Sequence, residues 1–427
     1  MESSLPPANA PADTPAALEP RLRDLLDAPA SKPVTPHPID FTGSDDEYFR
    51  VWIVNLLLVI VTLGLYTPWA RRRTAQYFYS HTHVAGSPLE FAGSLRRMVF
   101  GFLLFAALYL TYEMTSRAGH KLAASLLFFG FLALAPFLWG SAMRFRLGAT
   151  RWRGIRLAFT ASWKEVYLGS WPALAVVAIW MAVPLLLTPL RAWLRSLGGG
   201  PLAIGAVAAL ALALALLCVI RLEFNYKRLL VTRARIGGQT GYWKPAYLDF
   251  VKIWLAAIGI FLLILVPIEV LAGWWITSTL GPVNQLLSGA GAEAEQTRKA
   301  TRVMLILLLT WGTFLAMVFA SVPARAYREA RIFQLVWNNV GLGQIARART
   351  NLRTGAYVRL RVKNALLTLL TLGFYRPFAR FSEYAAKAGS VTLHVKGNAD
   401  QLAGELVRQQ GGFADAAADA LGLDLIG

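Results

Sequence analysis

One carboxylate lies well inside an apolar run: Glu269, in FLLILVPIEVLAGWW. Ionisable groups in a bilayer are costly and usually face a cavity or a partner, so Glu269, beside Pro267, is a candidate proton- or cation-coupled site. Trp274 and Trp275 follow at once, which gives a second reading, a hydrated or protonated glutamate near the outer interface. Asn55 and Asn364 are the other intramembrane polar candidates, suited to hydrogen-bond between helices where water is scarce. His81 and His83, in SHTHV, would point to one face of a strand and could supply two metal ligands. No acid or cysteine lies at ligand spacing, so a hairpin surface is the reading taken and no metal is expected. Arg71, Arg72 and Arg73 could meet anionic lipid headgroups, each worth about 1 kcal/mol near the surface, or could serve topology alone. Arg151, Arg153 and Arg156 alternate with Trp152 and Ile155 as a basic strand face, open to phosphate, lipid or an acidic partner, or simply solvated.

The motifs of nucleotide, serine-hydrolase and zinc-protease chemistry are absent, and so are paired catalytic carboxylates. No catalytic residue, enzyme activity or cofactor is expected. Cys218 lies inside the apolar run Leu202–Ile220 and reads as a packing residue, since one thiol makes no internal disulfide.

The elements that must position these residues are membrane helices. Of 427 residues, 56% are hydrophobic and only 16% charged, with a mean hydropathy of +0.46. A soluble chain would carry about a quarter charged residues. Six runs are long and apolar enough to cross a bilayer, near Met98–Tyr112, Leu122–Ala142, Val166–Leu187, Pro201–Ile220, Ile253–Ile276 and Val303–Val322. Pro136, Pro184 and Pro267 inside them predict kinks rather than breaks.

Two further apolar segments are copies of each other. TLGLYTPWA at 62–70 and TLGFYRPFA at 371–379 share six of nine positions. The match extends without a gap from Tyr48–Arg71 to Tyr357–Arg380 and keeps 12 of 24 positions. It aligns Asn55 with Asn364, Gly64 with Gly373, Tyr66 with Tyr375, Pro68 with Pro377 and Trp69 with Phe378. Leucine-rich composition would not reproduce that spacing, so duplication is the reading. The first segment, Val51–Ala70, could span alone. The second, within 364–379, has an apolar part of 12 residues, Asn364–Tyr375, or about 18 Å of helix, too short for a core of about 30 Å. Its shortness, and the similar sequences after each copy, favour half-spans that dip in and return. Gly would cap the helix and Pro would resume the chain in extended form.

The longer connections share a plan: a basic helix end with aromatics, a bridge with Gly, then an alternating stretch. IDFTGS, LEFAGS and LAFTAS read as versions of one short strand, and the Gly-containing turns suggest β-hairpins. Residues 71–97, 144–164, 221–252, 325–363 and 376–396 together hold 31 Lys and Arg against 5 acids. The three short connections hold 7 basic residues. Long and short connections alternate, so the long ones share one face, which the positive-inside rule makes cytoplasmic. The net charge of +19 is thereby a membrane-topology signal and implies no nucleic acid.

The expected fold is an all-α polytopic membrane protein with six full transmembrane helices, two short duplicated half-spans and short cytoplasmic β-hairpins between helix pairs. Residues 1–40, rich in Pro, Ala and acids without a signal-peptide core, read as a disordered tail. Residues 41–397 form the membrane domain, and 398–427 an acidic tail with a short amphipathic helix around Ala399–Arg408.

The succession IDFTG…EYFRVW…TLGLYTPWARRR, then RWRGIRLAF, then NALLTLLTLGFYRPFARF resembles the YjgN-like family of bacterial inner-membrane proteins, over roughly residues 38–397. The resemblance implies a polytopic inner-membrane protein and brings no activity with it. Phe378 stands where that family has Trp, and Phe381 where a basic or small residue is expected. Two functions remain in view. One is a transporter or channel for a small or amphiphilic solute, since repeats, broken helices and half-spans are transporter devices. The other is a non-transporting scaffold or envelope-maintenance factor whose basic platform binds membrane lipid or a protein. A wet path reaching Glu269 between the TLG segments would favour the first; a dry interior with an open basic face, the second.

Overall fold

The turns between the strands are the most constrained positions in the chain. Ala85 and Gly86 both have positive φ (49° and 75°), as do Arg153 and Gly154 (50° and 78°), the geometry of two-residue hairpins that match strand twist. In the computed structural model, which describes residues 33–196, 200–286, 292–343, 345–397, 400–401 and 403–408, these turns close the hairpins of the connections 71–97 and 144–164, and the connections 221–252 and 325–363 also fold into antiparallel hairpins.

Five units of strand, helix, helix, strand follow one another. The first comprises β1 (Val34–Phe41), α1 (Asp45–Val61), α2 (Thr67–Ser80) and β2 (Thr82–Val84). The second comprises β3 (Ser87–Phe91), α3 (Leu95–Arg117), α4 (Lys121–Ala149) and β4 (Thr150–Trp152). The third has β5 (Ile155–Phe159), α5 (Trp163–Ser196), α6 (Gly200–Thr232) and β6 (Ala234–Ile236). The fourth has β7 (Gln239–Trp243), α7 (Tyr247–Leu286), α8 (Ala292–Trp337) and β8 (Val340–Leu342). The fifth has β9 (Ala346–Thr350), α9 (Thr354–Leu370), α10 (Arg376–Ala388) and β10 (Val391–Lys396).

The ten strands close into one antiparallel barrel, each paired with its neighbours in sequence, and β1 pairs with β10 to complete the ring. This overturns the all-α expectation with separate hairpins. A two-stranded hairpin is marginal alone and leaves both edges unpaired. Here the two strands at the base of each helix pair also bond to each other, as Phe41 opposite Thr82 and Phe91 opposite Thr150 show, so no strand keeps a free edge. Inside the barrel, Trp152, Ile155 and Val395 pack with Leu406 from the helical residues 403–408. Asp400 pairs with Arg153 at 2.5 Å beside them. Residues 1–32 and 409–427 of the expected tails lie outside the described residues, whereas Val34–Phe41 is barrel strand.

Six helices, α3 to α8, are long and apolar enough to cross a membrane, and they contain the six runs read from the sequence. They continue through Pro136, Pro184 and Pro267. The most extensive helix packing is α5 on α6 and α7 on α8, and α8 also packs on α9 of the next unit. No residue of α3 is buried, and apolar side chains such as Leu263 and Phe100 face outward. Because every pair leaves the barrel and returns to it, all ten strands and their basic helix ends gather at one end of the molecule.

Candidate functional site

The two TLG copies fold alike. Each is a helix, a tight turn and a second helix, and both ends of each copy enter the barrel. Neither copy therefore runs through to the far end of the long helices. Thr62 and Thr371 hold the turns. Each hydroxyl donates to a carbonyl one turn back (Leu58 and Leu367, both 2.7 Å) and accepts the N–H of the tyrosine four residues on (3.0 and 2.9 Å). The N–H groups of Gly64 and Gly373 reach back to Val59 and Thr368 at 2.7 Å, the long bond of a Schellman cap. The residue that turns first is leucine: Leu63 and Leu372 both have φ of 50°, ahead of Gly64 and Gly373 at 92° and 97°. A left-handed leucine costs about 1 kcal/mol, yet these two are 95% and 91% exposed. The chain then enters a second helix, with the buried Pro68 and Pro377 in its first turn, rather than the extended form expected.

Asn55 and Asn364 tie the two helices of each copy together, to the carbonyls of Ala70 (3.5 Å) and Ala379 (3.2 Å). Asn364 also donates to Ser382 and Glu383, both at 3.1 Å. Around the turns the copies diverge. Tyr66 stacks on Trp69, which lines a groove of about 380 Å³ with Arg96, Val99 and Phe100 of α3. Tyr375 lies against Phe378, and Phe378 stacks on Phe49 of the first copy at 5.3 Å. Ring closure makes the two copies neighbours.

The other sequence candidates are scattered. Arg71 and Arg73 are exposed on α2, while Arg72 has a buried Nε without a hydrogen-bond partner. Arg151 and Arg156 face each other across β4 and β5, with Trp152 turned inward. Arg153 sits in the turn, donating to Ser87 Oγ and the Ala85 carbonyl, so the three arginines do not make one face. His81 bonds to the Tyr77 carbonyl at 2.8 Å, and His83 lies in β2 opposite Asp40 and Pro88. Cys218 is half-buried in α6. Glu269 accepts from Thr313 of α8 at 3.0 Å, inside a single helix pair, and its other oxygen is buried without a partner.

The sequence reading missed a cluster in the neck between barrel and membrane helices. A cavity of about 350 Å³ opens among the barrel-side ends of α6 and α8 and the flanks of α9 and α10. Ile332, Phe333, Val336 and Trp337 make its apolar wall. Its acids are committed: Glu223 accepts from Trp254 Nε1 at 2.8 Å and faces Arg328 at 3.8 Å. Glu329 pairs with Arg361 at 3.2 Å and with Lys387. Arg361 also pairs with Glu383 outside the cavity. Burial works against the Arg361 charge, but Glu383 and Glu329 more than offset it and hold the guanidinium above its usual pKa. Burial, reinforced by Glu329, pushes the Tyr357 hydroxyl well above the ordinary tyrosine range. The signal available in the sequence was the run RAYREARIF, with cations three residues apart at the end of a membrane helix.

The family described as "Bacterial protein of unknown function (DUF898)" matches residues 36–420. Among curated proteins, the inner membrane protein YjgN of Escherichia coli O157:H7 is 31% identical over 134 residues, 31% of this chain and 34% of that protein. The inner membrane protein YjgN of Escherichia coli K12 is 30% identical over 150 residues, 35% of this chain and 37% of that protein. That of Salmonella typhimurium is 26% identical over 149 residues, 34% and 38% of the two chains. The chain thus spans about a third of the length of the curated relatives it matches. No solved structure matches it.

Proposed function

This chain belongs to the DUF898 family of bacterial proteins, and from that premise we propose that it is an inner-membrane platform that holds anionic lipid where its TLG tips and basic helix ends meet the bilayer, with the barrel in the cytoplasm. The inner-membrane setting comes from the names of its relatives and the six apolar helices. The cytoplasmic side comes from the positive-inside rule applied to the connections gathered at the barrel. One observation carries the lipid role. The two TLG turns present almost fully exposed leucines, with arginines in the helices directly behind them. In water such exposed tips are unfavourable; in lipid they are buried, and the arginines fall at headgroup level.

Transport fits less well. Alternating access requires two packed halves that rock about a central site. Among the long helices the closest packing is within the α5–α6 and α7–α8 pairs, and Glu269 bonds inside its own pair. Mass spectrometry of lipid retained by the detergent-purified chain tests the proposal. Phosphatidylglycerol, cardiolipin and phosphatidate should be enriched over their share of the host membrane. Proteoliposomes loaded with a pH-sensitive dye should leak no faster than empty vesicles. Retained lipid matching the bulk membrane, together with a proton leak abolished by Glu269→Gln, would replace the platform with a transporter.

A further inference from the structure

We propose that the neck cavity is a binding site for a doubly charged phosphate group, a site distinct from the TLG tips. Five cations line it against two acids. Glu223, Glu329 and the neighbouring Glu383 account for Arg328, Arg361 and Lys387, which leaves two positive charges over. Among the described residues, the two lining cations without a carboxylate partner are Lys227, half-buried on α6, and Arg325, exposed at the rim on α8. Two uncommitted charges lining one cavity call for an anion as well, because each excess charge repels the others.

The chemistry of the lining narrows the class. A phosphomonoester carries close to two negative charges near neutral pH and offers three acceptor oxygens. It therefore matches the surplus in number, and Arg328 and Arg325, three residues apart on α8, suit its oxygens. Arg328 is already oriented, lying over the Trp254 ring at 4.1 Å. The apolar wall from Ile332 to Trp337 would receive the uncharged part of the ligand. A cavity of about 350 Å³ holds a headgroup or a small phosphate and not a whole lipid, so acyl chains would have to lie outside. This deepens the lipid reading by naming the headgroup chemistry, but a water-soluble phosphate would satisfy the same residues.

The test uses the full chain in a neutral detergent, with dioctanoyl phosphatidate, dioctanoyl phosphatidylcholine and inorganic pyrophosphate as probes, read by equilibrium binding and by thermal shift. Phosphatidate or pyrophosphate should bind and raise the melting temperature, and phosphatidylcholine should not. The double variant Lys227→Gln, Arg325→Gln should bind at least about tenfold more weakly, because it loses two charge-assisted contacts. Its fold is checked by a melting temperature without ligand no lower than the parent's, and Arg117→Gln, at the far end of α3, is the control. Phosphatidate binding alone marks a lipid source and pyrophosphate binding alone a soluble one, and the site stands in either case. If none of the probes binds, or the double variant binds as the parent does, the site is overturned, whatever lipid the protein retains elsewhere.

Discussion

Asn364 and Asn55 occupy matching places in the two TLG copies and make unequal bonds. The amide of Asn364 reaches a carbonyl, a hydroxyl and a carboxylate, all within 3.2 Å, whereas that of Asn55 reaches one carbonyl at 3.5 Å. A bond near 3.5 Å is weak, whereas the amide of Asn364 supplies a donor to a partly buried carboxylate, a hydroxyl and a carbonyl at once. Asn364→Ala should therefore destabilise the protein by about 2 kcal/mol, and Asn55→Ala by well under about 1 kcal/mol. Denaturant unfolding in detergent measures both. Equal losses would mean that the duplicated asparagines do the same work. The sequence showed that the two residues correspond, but not that Ser382 and Glu383 would lie beneath only one of them.

The helix–turn–helix is the element that separates folding from membrane contact. Its turn needs a left-handed residue at positions 63 and 372, and leucine is a poor choice on backbone grounds. Asparagine tolerates that conformation, and it is polar. The double variant Leu63→Asn, Leu372→Asn should keep or raise stability in detergent by up to about 1 kcal/mol. It should also lower retention of lipid. Unchanged lipid retention would show that the tips do not enter the bilayer. The shortness of the second copy, and the similar sequences after each copy, separated these segments from the six spans. The extended exit expected after proline was wrong, because Pro in a first helical turn loses no hydrogen bond and its fixed φ suits a helix.

For the whole molecule, the decisive contact is β1 on β10, which joins residues some 360 apart in sequence. Pro36 and His394 are Cα partners there. With Cys218 replaced by Ser, the pair Pro36→Cys, His394→Cys should form a disulfide on mild oxidation. After proteolytic cutting in a connection between membrane helices, the two fragments should stay joined until reduced. Free fragments without reductant would mean an open strand array. The same closure brings the first and fifth units side by side, so Phe378 can stack on Phe49 and the duplicated segments become one paired feature.

Composition and apolar run length by themselves determined the six spans, since the bilayer imposes its thickness on any helix that crosses it. The copied letters also revealed the duplication, and the alternation around glycine marked the hairpins. Strand pairing between hairpins was decided only in three dimensions. A three-residue strand says nothing about which distant strand will cover its second edge, and only closure of the full ring satisfies them all. The neck cavity has the same origin: Lys227, Arg325, Arg361 and Lys387 belong to four helices. Their charges acquire a common meaning only because the barrel gathers those helix ends into one ring.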